Sequence, residues 1–371
     1  MQADIFCRVV DNYGDIGVCW RLARRLAHGH GWEVRLWVDD LASFARIQPG
    51  IDAGLARQAF NGVDIVRWSD APDPALGARD VVIEAFACDP PEPFLDSMRQ
   101  RHPAWINLEY LSAEAWVESC HGLPSQRPDG LVKHFYFPGF TPATGGLLRE
   151  PGLSAERDAF QADTAAQDTF LRGLGVAEAH LSLRHNGART MSLFCYPDAP
   201  VDGLARALAA DPRPALLLAP EGVAPGLETA CAMPGGPAVA RLPFVAQPDF
   251  DRVLWCADLN FVRGEDSFVR AAWAARPLVW QIYPQDENIH LEKLDAWLAR
   301  YPAPETATAL MRAWNQPGAG AASAAALAAA LAPPAWQAWA RAARDWDAAQ
   351  AARPDLAENL AGFCAELAKK R

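Results

Sequence analysis

Short apolar runs alternate with amphipathic stretches along the first third of the chain. Such runs, each of the length of a buried strand, lie at residues 5–10, 33–38, 63–66, 81–83 and 105–107. Between the first two runs, apolar side chains recur at helical spacing: Val18, Leu22, Ala23, Leu26 and Ala27. Strands that alternate with helices predict a parallel, doubly wound sheet, in which ligands bind beyond the carboxyl ends of the strands.

The same alternation starts again near residue 189. Runs typical of strands lie at residues 190–195, 215–219, 239–242, 257–262 and 277–282. Amphipathic stretches predict helices at residues 204–210, 250–256, 269–275 and 290–300. The pattern therefore indicates an α/β protein made of two similar units in series.

The remaining segments suggest where the domains begin and end. We predict an N-terminal domain at residues 1–177 and a second domain at 178–353. The polar segment 141–167 contains Pro151 and Gly152 and is typical of a flexible or weakly ordered connection. The chain is helical and alanine-rich from residue 305 onward, and the last helix, 354–371, has one apolar face. That face must dock on a core, and the first domain is one candidate.

Composition narrows the class of protein. The 371 residues include 14 Trp and are 51% hydrophobic, which is enough for two cores. A formal net charge of -11 disfavours general nucleic-acid binding. The 8 Cys lie mostly inside apolar runs and form no C-x-x-C pair, which favours a reducing compartment. No run approaches the length of a membrane span, so we expect a cytoplasmic protein with no membrane or nucleic-acid partner.

A turn in the second unit has the residues of a phosphate site. A strand leads into Arg263-Gly264-Glu265-Asp266-Ser267, and a helix follows. The N-terminus of a helix favours phosphate, Gly264 permits a tight turn, and Arg263 offers several donors. Ser267 would cap the helix or donate to a phosphate oxygen, while Glu265 or Asp266 would bind sugar hydroxyls. A well-capped helix whose acids offset its dipole is the plainer interpretation, and the local sequence alone favours it.

The first unit has a turn of different composition at residues 11–17. It lacks the G-x-G-x-x-G fingerprint but offers two carboxylates, Asp11 and Asp15, with Tyr13, Gly14 and Gly17 as further substrate contacts. Glycines let a substrate approach the backbone, and a carboxylate can act as a general base. The alternative is structural: Asp11 starts an Asx-turn and Asp15 caps the helix.

Two other groups of residues remain open from the sequence. Glu109 and Tyr110 follow a predicted strand, so they either face the same crevice as Asp15 or belong to an ordinary loop. The basic residues of the first helix either recognise an acceptor or form a solvated helix face, which the sequence favours. They are Arg21, Arg24 and Arg25.

The sequence offers little for metal or acyl-enzyme chemistry. The clearest Asp-x-Asp pair, Asp345 and Asp347, lies in the alanine-rich helical segment, where residues two apart point to different faces. The histidines and cysteines have no zinc-ligand spacing. No G-x-S-x-G motif is present, so a serine nucleophile has no support.

Three stretches resemble the protein-arginine rhamnosyltransferases that modify elongation factor P, a family of GT-B glycosyltransferases. They are IFCRVVDNYGDIG at residues 5–17, INLEYLS at 106–112, and FVRGEDSF at 261–268 together with WQIYPQ at 280–285. The resemblance implies the GT-B fold, in which two Rossmann-like doubly wound domains face each other across a cleft. It strongly favours the functional interpretation of both turns.

The resemblance also implies a reaction and a set of roles. L-rhamnose would pass from dTDP-β-L-rhamnose to an arginine of elongation factor P, activating it, with inversion at the anomeric carbon and without a metal or other cofactor. Asp15 would be the general base, and Asp11 would support the loop or the acceptor. Residues that would hold the nucleotide-sugar are Tyr196, Gln247, Arg263, Glu265, Asp266 and Ser267, with Phe244 against the thymine.

Other functions fit part of the same pattern. A different GT-B enzyme would place a sugar on a small molecule or a lipid. A non-catalytic nucleotide-sugar-binding protein would keep the turn at Arg263 but would not need Asp15. An epimerase of the same shape would need no acceptor.

Overall fold

The computed structural model describes residues 1–11, 13–69 and 73–369; for Asp286 it describes only the backbone. Asn12 of the first predicted turn and the last two residues of the predicted terminal helix lie outside this part. The chain divides into two compact units, one formed by Met1–Pro151 with Gln350–Arg371 and the other by Gly152–Ala349. Residues 152–177, expected in the first domain, therefore lie in the second unit.

The first unit is built on an eight-stranded sheet. Its strands are β1 (Gln2–Cys7), β2 (Glu33–Val38), β3 (Arg57–Phe60), β4 (Val63–Arg67), β5 (Val81–Ala85), β6 (Ala104–Leu108), β7 (Pro124–Gln126) and β8 (Val132–Tyr136). Their order is β3-β4-β2-β1-β5-β6-β8-β7, and only β3 and β7 pair antiparallel with their neighbours. Helices in this half of the chain are α1 (Gly14–His30), α2 (Leu41–Ile47), α3 (Glu92–Arg101) and α4 (Trp116–Cys120).

The strand β1 is shifted towards the N-terminus relative to the prediction. It ends at Cys7, so the predicted strand residues Arg8, Val9 and Val10 belong to the turn that follows. The shift includes Asp4, an acid whose burial the sequence pattern does not predict. Asp4 is fully buried because Arg35 and Trp37 of β2 donate to its carboxylate at 2.5 Å and 2.9 Å.

The second unit contains a five-stranded parallel sheet and most of the helices. In chain order its elements are α5 (Leu153–Ala162), α6 (Thr164–Gly173), α7 (Glu178–His185), β9 (Arg189–Leu193), α8 (Val201–Ala210), β10 (Ala215–Pro220), α9 (Leu227–Cys231), β11 (Ala238–Leu242), α10 (Gln247–Cys256), β12 (Leu259–Arg263), α11 (Asp266–Trp273), β13 (Leu278–Gln281), α12 (Ile289–Leu298), α13 (Glu305–Trp314), α14 (Gly320–Leu331) and α15 (Pro333–Ala351). The strand order is β11-β10-β9-β12-β13.

The predicted flexible connection at 141–167 is wrong for its second half, which forms α5 and the start of α6. Asp163 caps α6 by accepting from the amide of Ala166 at 2.9 Å. Buried Arg157 of α5 donates to the carbonyl of Trp273 and pairs with Asp347, both at 2.8 Å. These long-range contacts hold a segment whose own composition is too polar to indicate a core helix.

The helix α16 (Leu356–Lys369) packs on the first unit. The ring of Phe363 lies 5.4 Å from that of Tyr136, measured between centroids. Gly145 passes close beneath the helix, where a Cβ atom would meet Tyr136 at 2.5 Å and Leu356 at 2.9 Å. Only a glycine fits between these two side chains.

The basic face of α1 is not the solvated face that the sequence favoured. Arg21 is buried and pairs with Glu150 at 3.0 Å, while Arg25 pairs with Asp355, just before α16, at 2.7 Å. Arg24 lies over the ring of Trp20. Arg21 and Arg25 therefore hold the segments that follow β8 and α15.

Each sheet has one point at which the strand order reverses. In the first sheet it lies between β1 and β5, and in the second between β9 and β12. Crevices beyond the carboxyl ends of strands at such points are where open α/β sheets bind ligands. No helix in the described part of the chain is long and apolar enough to cross a membrane.

Candidate functional site

Asp15 lies at the reversal point of the first sheet, in the first turn of α1. It is 2% exposed. Its Oδ2 accepts hydrogen bonds from the amides of Val10 at 2.8 Å and Asp11 at 2.9 Å. Asp15 does not cap α1, as the structural alternative had it, because its carboxylate binds residues before the helix. It shapes the β1–α1 turn instead.

The second oxygen of Asp15 faces a different environment. Tyr110 Oη lies 3.4 Å from Oδ1, which makes a long and weak hydrogen bond. Burial raises the pKa of the Asp15 carboxyl above its usual value, and the charge of Asp11 adds to the increase, while the hydrogen bonds oppose it. A carboxylate with a raised pKa is a stronger base than one in water.

Tyr110 is part of an aromatic pair beside Asp15. Its ring stacks on Phe86 with a centroid distance of 4.2 Å, and the tyrosine is 42% exposed. Phe86 follows β5 with a φ of 59°, a conformation that turns the chain sharply at the strand end. Of the two alternatives left open by the sequence, Tyr110 therefore lies beside Asp15, whereas Glu109 accepts from Asn107 at 2.7 Å.

Backbone contacts hold the other described residues of this turn. A backbone hydrogen bond from Gly14 to Asp11 closes the turn at 2.7 Å. A side chain at Gly14 would crowd Asp11, since a Cβ atom would lie 3.1 Å from its Oδ2. Tyr13 precedes α1, with Arg46 over its ring, while Gly17 is buried inside the helix and donates to the Tyr13 carbonyl.

The turn at Arg263 lies at the reversal point of the second sheet. Gly264 has a φ of 61°, and its amide and carbonyl bind Gln281 at 3.1 Å and the indole of Trp280 at 2.6 Å. The ring of Phe268 stacks on Trp280 at 4.1 Å. These contacts fix the turn and direct the N-terminus of α11 towards the carboxyl edge of the sheet.

Arg263 is positioned by the strand next to its own. Nη1 donates to the Cys195 carbonyl at 3.2 Å, and the guanidinium lies 4.5 Å from the ring centre of Phe194 and 4.8 Å from that of Tyr196. No ion pair with a carboxylate is found for it within the described ranges. The described contacts of its side chain are thus with a carbonyl oxygen and two aromatic rings.

Ser267 does not cap α11. Its hydroxyl donates to the Arg263 carbonyl and accepts from the Arg263 amide at 3.2 Å. The hydroxyl therefore closes the turn from inside, and its proton is already used. Glu265 occupies the N-cap position without a capping hydrogen bond from its side chain, so the plainer interpretation of a well-capped helix does not hold.

The remaining predicted donor residues surround this turn. Gln247, at the start of α10, donates weakly to Asp266 at 3.4 Å. The amide of Tyr196 donates to Oε1 of Gln281 at 2.8 Å, and the tyrosine ring meets that of Tyr283 edge to face. Phe244 is half-buried in the loop between β11 and α10.

Three residues with a clear place at these two sites were not among the predicted contacts. Phe86 stacks on Tyr110, Phe194 lies under Arg263, and Gln281 holds Tyr196. Each follows or ends a predicted strand, so its position was a usable signal. The sequence did not indicate which of these residues contact each other across neighbouring strands.

The described residues contain no cluster of three or more His, Cys, Asp or Glu side chains able to hold a metal ion. The pair Asp345 and Asp347 lies on different faces of α15, one exposed and the other buried against Arg157. In the described part of the turn at Arg263, the positive groups are Arg263 itself and the N-terminus of α11.

Two mainly parallel sheets, each with a polar turn at its reversal point, have the fold of the GT-B glycosyltransferases. A UDP-glucosyltransferase from Polygonum tinctorium superposes with a TM-score of 0.55 at 12% identity, covering 98% of this chain and 97% of its own. A solved structure described as the structural basis for EarP-mediated arginine glycosylation of translation elongation factor EF-P gives a TM-score of 0.67 at 35% identity. It covers 98% of this chain and 99% of its own.

Sequence comparison identifies the family. The model for "Elongation-Factor P (EF-P) rhamnosyltransferase EarP" matches residues 3–365. A protein-arginine rhamnosyltransferase of Pseudomonas putida is 50% identical over 97% of both chains, and one of Pseudomonas aeruginosa is 49% identical over 98% of both. The chain belongs to the EarP family and is a protein-arginine rhamnosyltransferase. The family resemblance of its three motifs is thereby confirmed.

Proposed function

We propose that this enzyme transfers L-rhamnose from dTDP-β-L-rhamnose to one arginine side chain of elongation factor P, activating it, with inversion at the anomeric carbon. One observation carries the proposal. A buried carboxylate, Asp15, has one oxygen fixed by two amides and the other beside an exposed aromatic ring. Family membership supports the acceptor, because the solved relative glycosylates EF-P.

The acceptor chemistry suits this carboxylate. A guanidinium has a pKa above about 12 and is a poor nucleophile while its charge is delocalised. Asp15 would hold one guanidinium nitrogen and accept its proton as the new C–N bond forms. The stacked pair Phe86 and Tyr110 offers a flat face on which a guanidinium can stack. Asp11 would support the loop that carries Asp15.

The donor chemistry suits the turn at Arg263. As the bond from the anomeric carbon to the dTDP oxygen breaks, negative charge grows on the diphosphate. Arg263 and the N-terminus of α11 would stabilise that charge, so the mechanism proposed needs neither a metal nor another cofactor. Glu265 or Asp266 would bind sugar hydroxyls, and Tyr196, Gln247, Ser267 and Phe244 would complete the nucleotide site.

The stereochemistry follows from a single displacement. The guanidinium nitrogen attacks the anomeric carbon on the face opposite the diphosphate, the C–O bond breaks, and the proton leaves the nitrogen for Asp15. One displacement inverts the configuration, so β-rhamnose would give an α-linked product.

Intact-mass spectrometry of elongation factor P incubated with the enzyme and dTDP-rhamnose in EDTA tests the whole proposal. We expect a gain of one deoxyhexose that maps to an arginine. A gain that appears only with added magnesium would overturn the metal-free mechanism and leave the donor and acceptor standing. No gain in either case, with dTDP binding intact, would overturn the acceptor.

Replacing Asp15 by Asn tests the base. The Asn oxygen can still accept from the amides of Val10 and Asp11, so the turn is retained. We expect loss of transfer, with dTDP binding unchanged by calorimetry. Asp39→Asn is the matched control, because Asp39 accepts from the amide of Val9 at 2.9 Å in the same turn. Near wild-type turnover in Asp15→Asn would show that the base assignment is wrong.

A further inference from the structure

The second unit has a cavity at the edge of its sheet opposite the turn at Arg263. Its volume is about 430 Å³, within the usual range of small-molecule pockets. The cavity lies between the end of α8, the end of α14 and the start of α15. Arg189, which begins β9, lines it, whereas Phe194 and Tyr196 follow the carboxyl end of the same strand.

Arg189 is the unusual group in this cavity. It is 5% exposed, and its Nη1 is buried without a hydrogen-bond partner. The guanidinium carbon lies over the ring of Trp336, 4.2 Å from the ring centre, and Trp336 also lines the cavity. Buried guanidinium groups are normally paired with a carboxylate or fully hydrogen-bonded, so this one lacks an expected partner.

The charges around Arg189 do not supply that partner. Asp211, on the cavity wall, uses one oxygen for the amide of Arg213 at 2.8 Å. Arg213 also lines the cavity and brings a second positive charge. Burial, and then Arg213, lower the pKa of Arg189, while Asp211 and Asp258 oppose the decrease. The cavity wall thus carries two arginines and one aspartate.

Apart from Gln337 and the indole of Trp336, the rest of the wall is aliphatic. Alanine, leucine and proline side chains of α8, α14 and α15 surround the arginine and the tryptophan. A hydrated inorganic ion would gain nothing from such walls. A molecule with one anionic head and a flat apolar body would use both the unpartnered N–H group and the apolar surface.

We propose that this cavity binds a small organic anion, with its carboxylate, sulfonate or phosphate group on Arg189 and its apolar body against Trp336 and the alanine wall. The site is separate from the turn at Arg263, because the cavity and that turn lie at opposite ends of β9. It is independent of the proposed function.

Anilinonaphthalene sulfonate is a suitable probe, since it joins a flat apolar body to one sulfonate and fluoresces when bound. Phenylnaphthylamine has the same body without the charge. The informative variant is Ala328→Glu, which adds a carboxylate to an exposed helix position on the cavity wall. Ala329→Glu makes the same change at the next residue, which is exposed but does not line the cavity.

We expect the wild type and Ala329→Glu to bind the sulfonate equally. Binding should weaken roughly tenfold or more in Ala328→Glu, because the new carboxylate repels the sulfonate, and in Arg189→Gln, because a charge-assisted hydrogen bond is lost. The uncharged probe should bind the wild type at least roughly tenfold more weakly, and Arg189→Gln should not change it. Equal sulfonate binding by the two Glu variants would overturn the proposal. So would equal affinity for the two probes, or no saturable binding to the wild type.

Discussion

Arg263 is held by a carbonyl and two aromatic rings rather than by an acid. A carboxylate partner would fix its position equally well but would cancel the charge that a diphosphate needs. The interactions with Cys195, Phe194 and Tyr196 position the guanidinium at less electrostatic cost. The residue is thus oriented before a ligand arrives.

Arg263→Ala should therefore weaken dTDP binding about tenfold or more, because a charged hydrogen bond to phosphate is lost. Calorimetry with dTDP measures the change directly. Arg312→Ala is the control, since Arg312 is an exposed arginine of the same unit that pairs with Asp295. Equal affinity of the two variants would contradict the assignment.

Glu84 is a buried acid of the first sheet outside the proposed reaction. It is fully buried at the end of β5, where Lys133 pairs with it at 2.6 Å and Trp105 donates to it at 3.1 Å. Burial outweighs the lysine and raises the pKa of Glu84 to about 7. The folded state therefore binds a proton more tightly than the unfolded chain between about pH 4.5 and 7.

The free energy of unfolding should fall as the pH rises through that window. Relative to Glu84→Gln, which does not titrate, the wild type should lose on the order of 2 kcal/mol between pH 5 and 8. Urea unfolding of both proteins at several pH values measures the difference. A difference that is constant with pH would show that Glu84 is ionised throughout.

The sequence did not predict the roles of side chains whose polar partners lie far away in the chain or depend on an exact turn geometry. The sequence offered Tyr110 beside Asp15 as one of two alternatives, because both residues follow predicted strands, and the structure places the two side chains together. By contrast, the partners of Arg21 and Arg25 lie 129 and 330 residues away, so their burial is invisible to local periodicity. Serine is a residue type typical of a helix N-cap. The Ser267 hydroxyl instead binds Arg263, because the turn closes tightly around Gly264.

The helix α16 depends on one acid at its start. Asp355 accepts from the amide of Glu358 at 2.9 Å and pairs with Arg25 of α1, and both side chains of the pair are largely buried. The same carboxylate therefore caps one helix and neutralises a buried charge on another. Its removal would leave Arg25 desolvated without its ion-pair partner.

Asp355→Ala should lower the free energy of opening of α16 by about 3 kcal/mol, because the buried ion pair and the cap are lost together. Hydrogen exchange of amides 356–369 should then be about 100-fold faster. Glu358→Ala, at an exposed acid in the first turn of the same helix, should cost less than about 1 kcal/mol. Similar exchange in both variants would contradict the role of the buried pair.

Helices and strands could be predicted where their buried residues form a continuous or periodic apolar pattern in the sequence. Residues 33–38 were predicted as a strand and form β2 without change, because every residue after Glu33 is buried. The edge strand β3 was missed, since its alternate residues are exposed and it pairs antiparallel through a two-residue turn at Asn61 and Gly62. The helix α5 was missed because only Leu153 and Arg157 of its residues are buried.

At the scale of the whole molecule, the two units differ in continuity. The second is one segment, Gly152–Ala349, with its own sheet and core, whereas the first needs residues from both sides of it. A chain ending at Ala349 should therefore lose transfer, because the first unit is incomplete. It should keep dTDP binding within about threefold, which is a change in binding free energy below about 1 kcal/mol. Calorimetry and the mass assay measure the two properties, and loss of dTDP binding would contradict the independence of the second unit.

The position of α16 also orders events during synthesis. A ribosome makes the strands of the first sheet early, but the helix that covers Gly145 and Tyr136 emerges only after the second unit. At about 5–20 residues per second, that delay lasts on the order of ten seconds or more. The half of the enzyme that carries Asp15 is thus translated first and completed last, with an apolar surface open to chaperones in the interval.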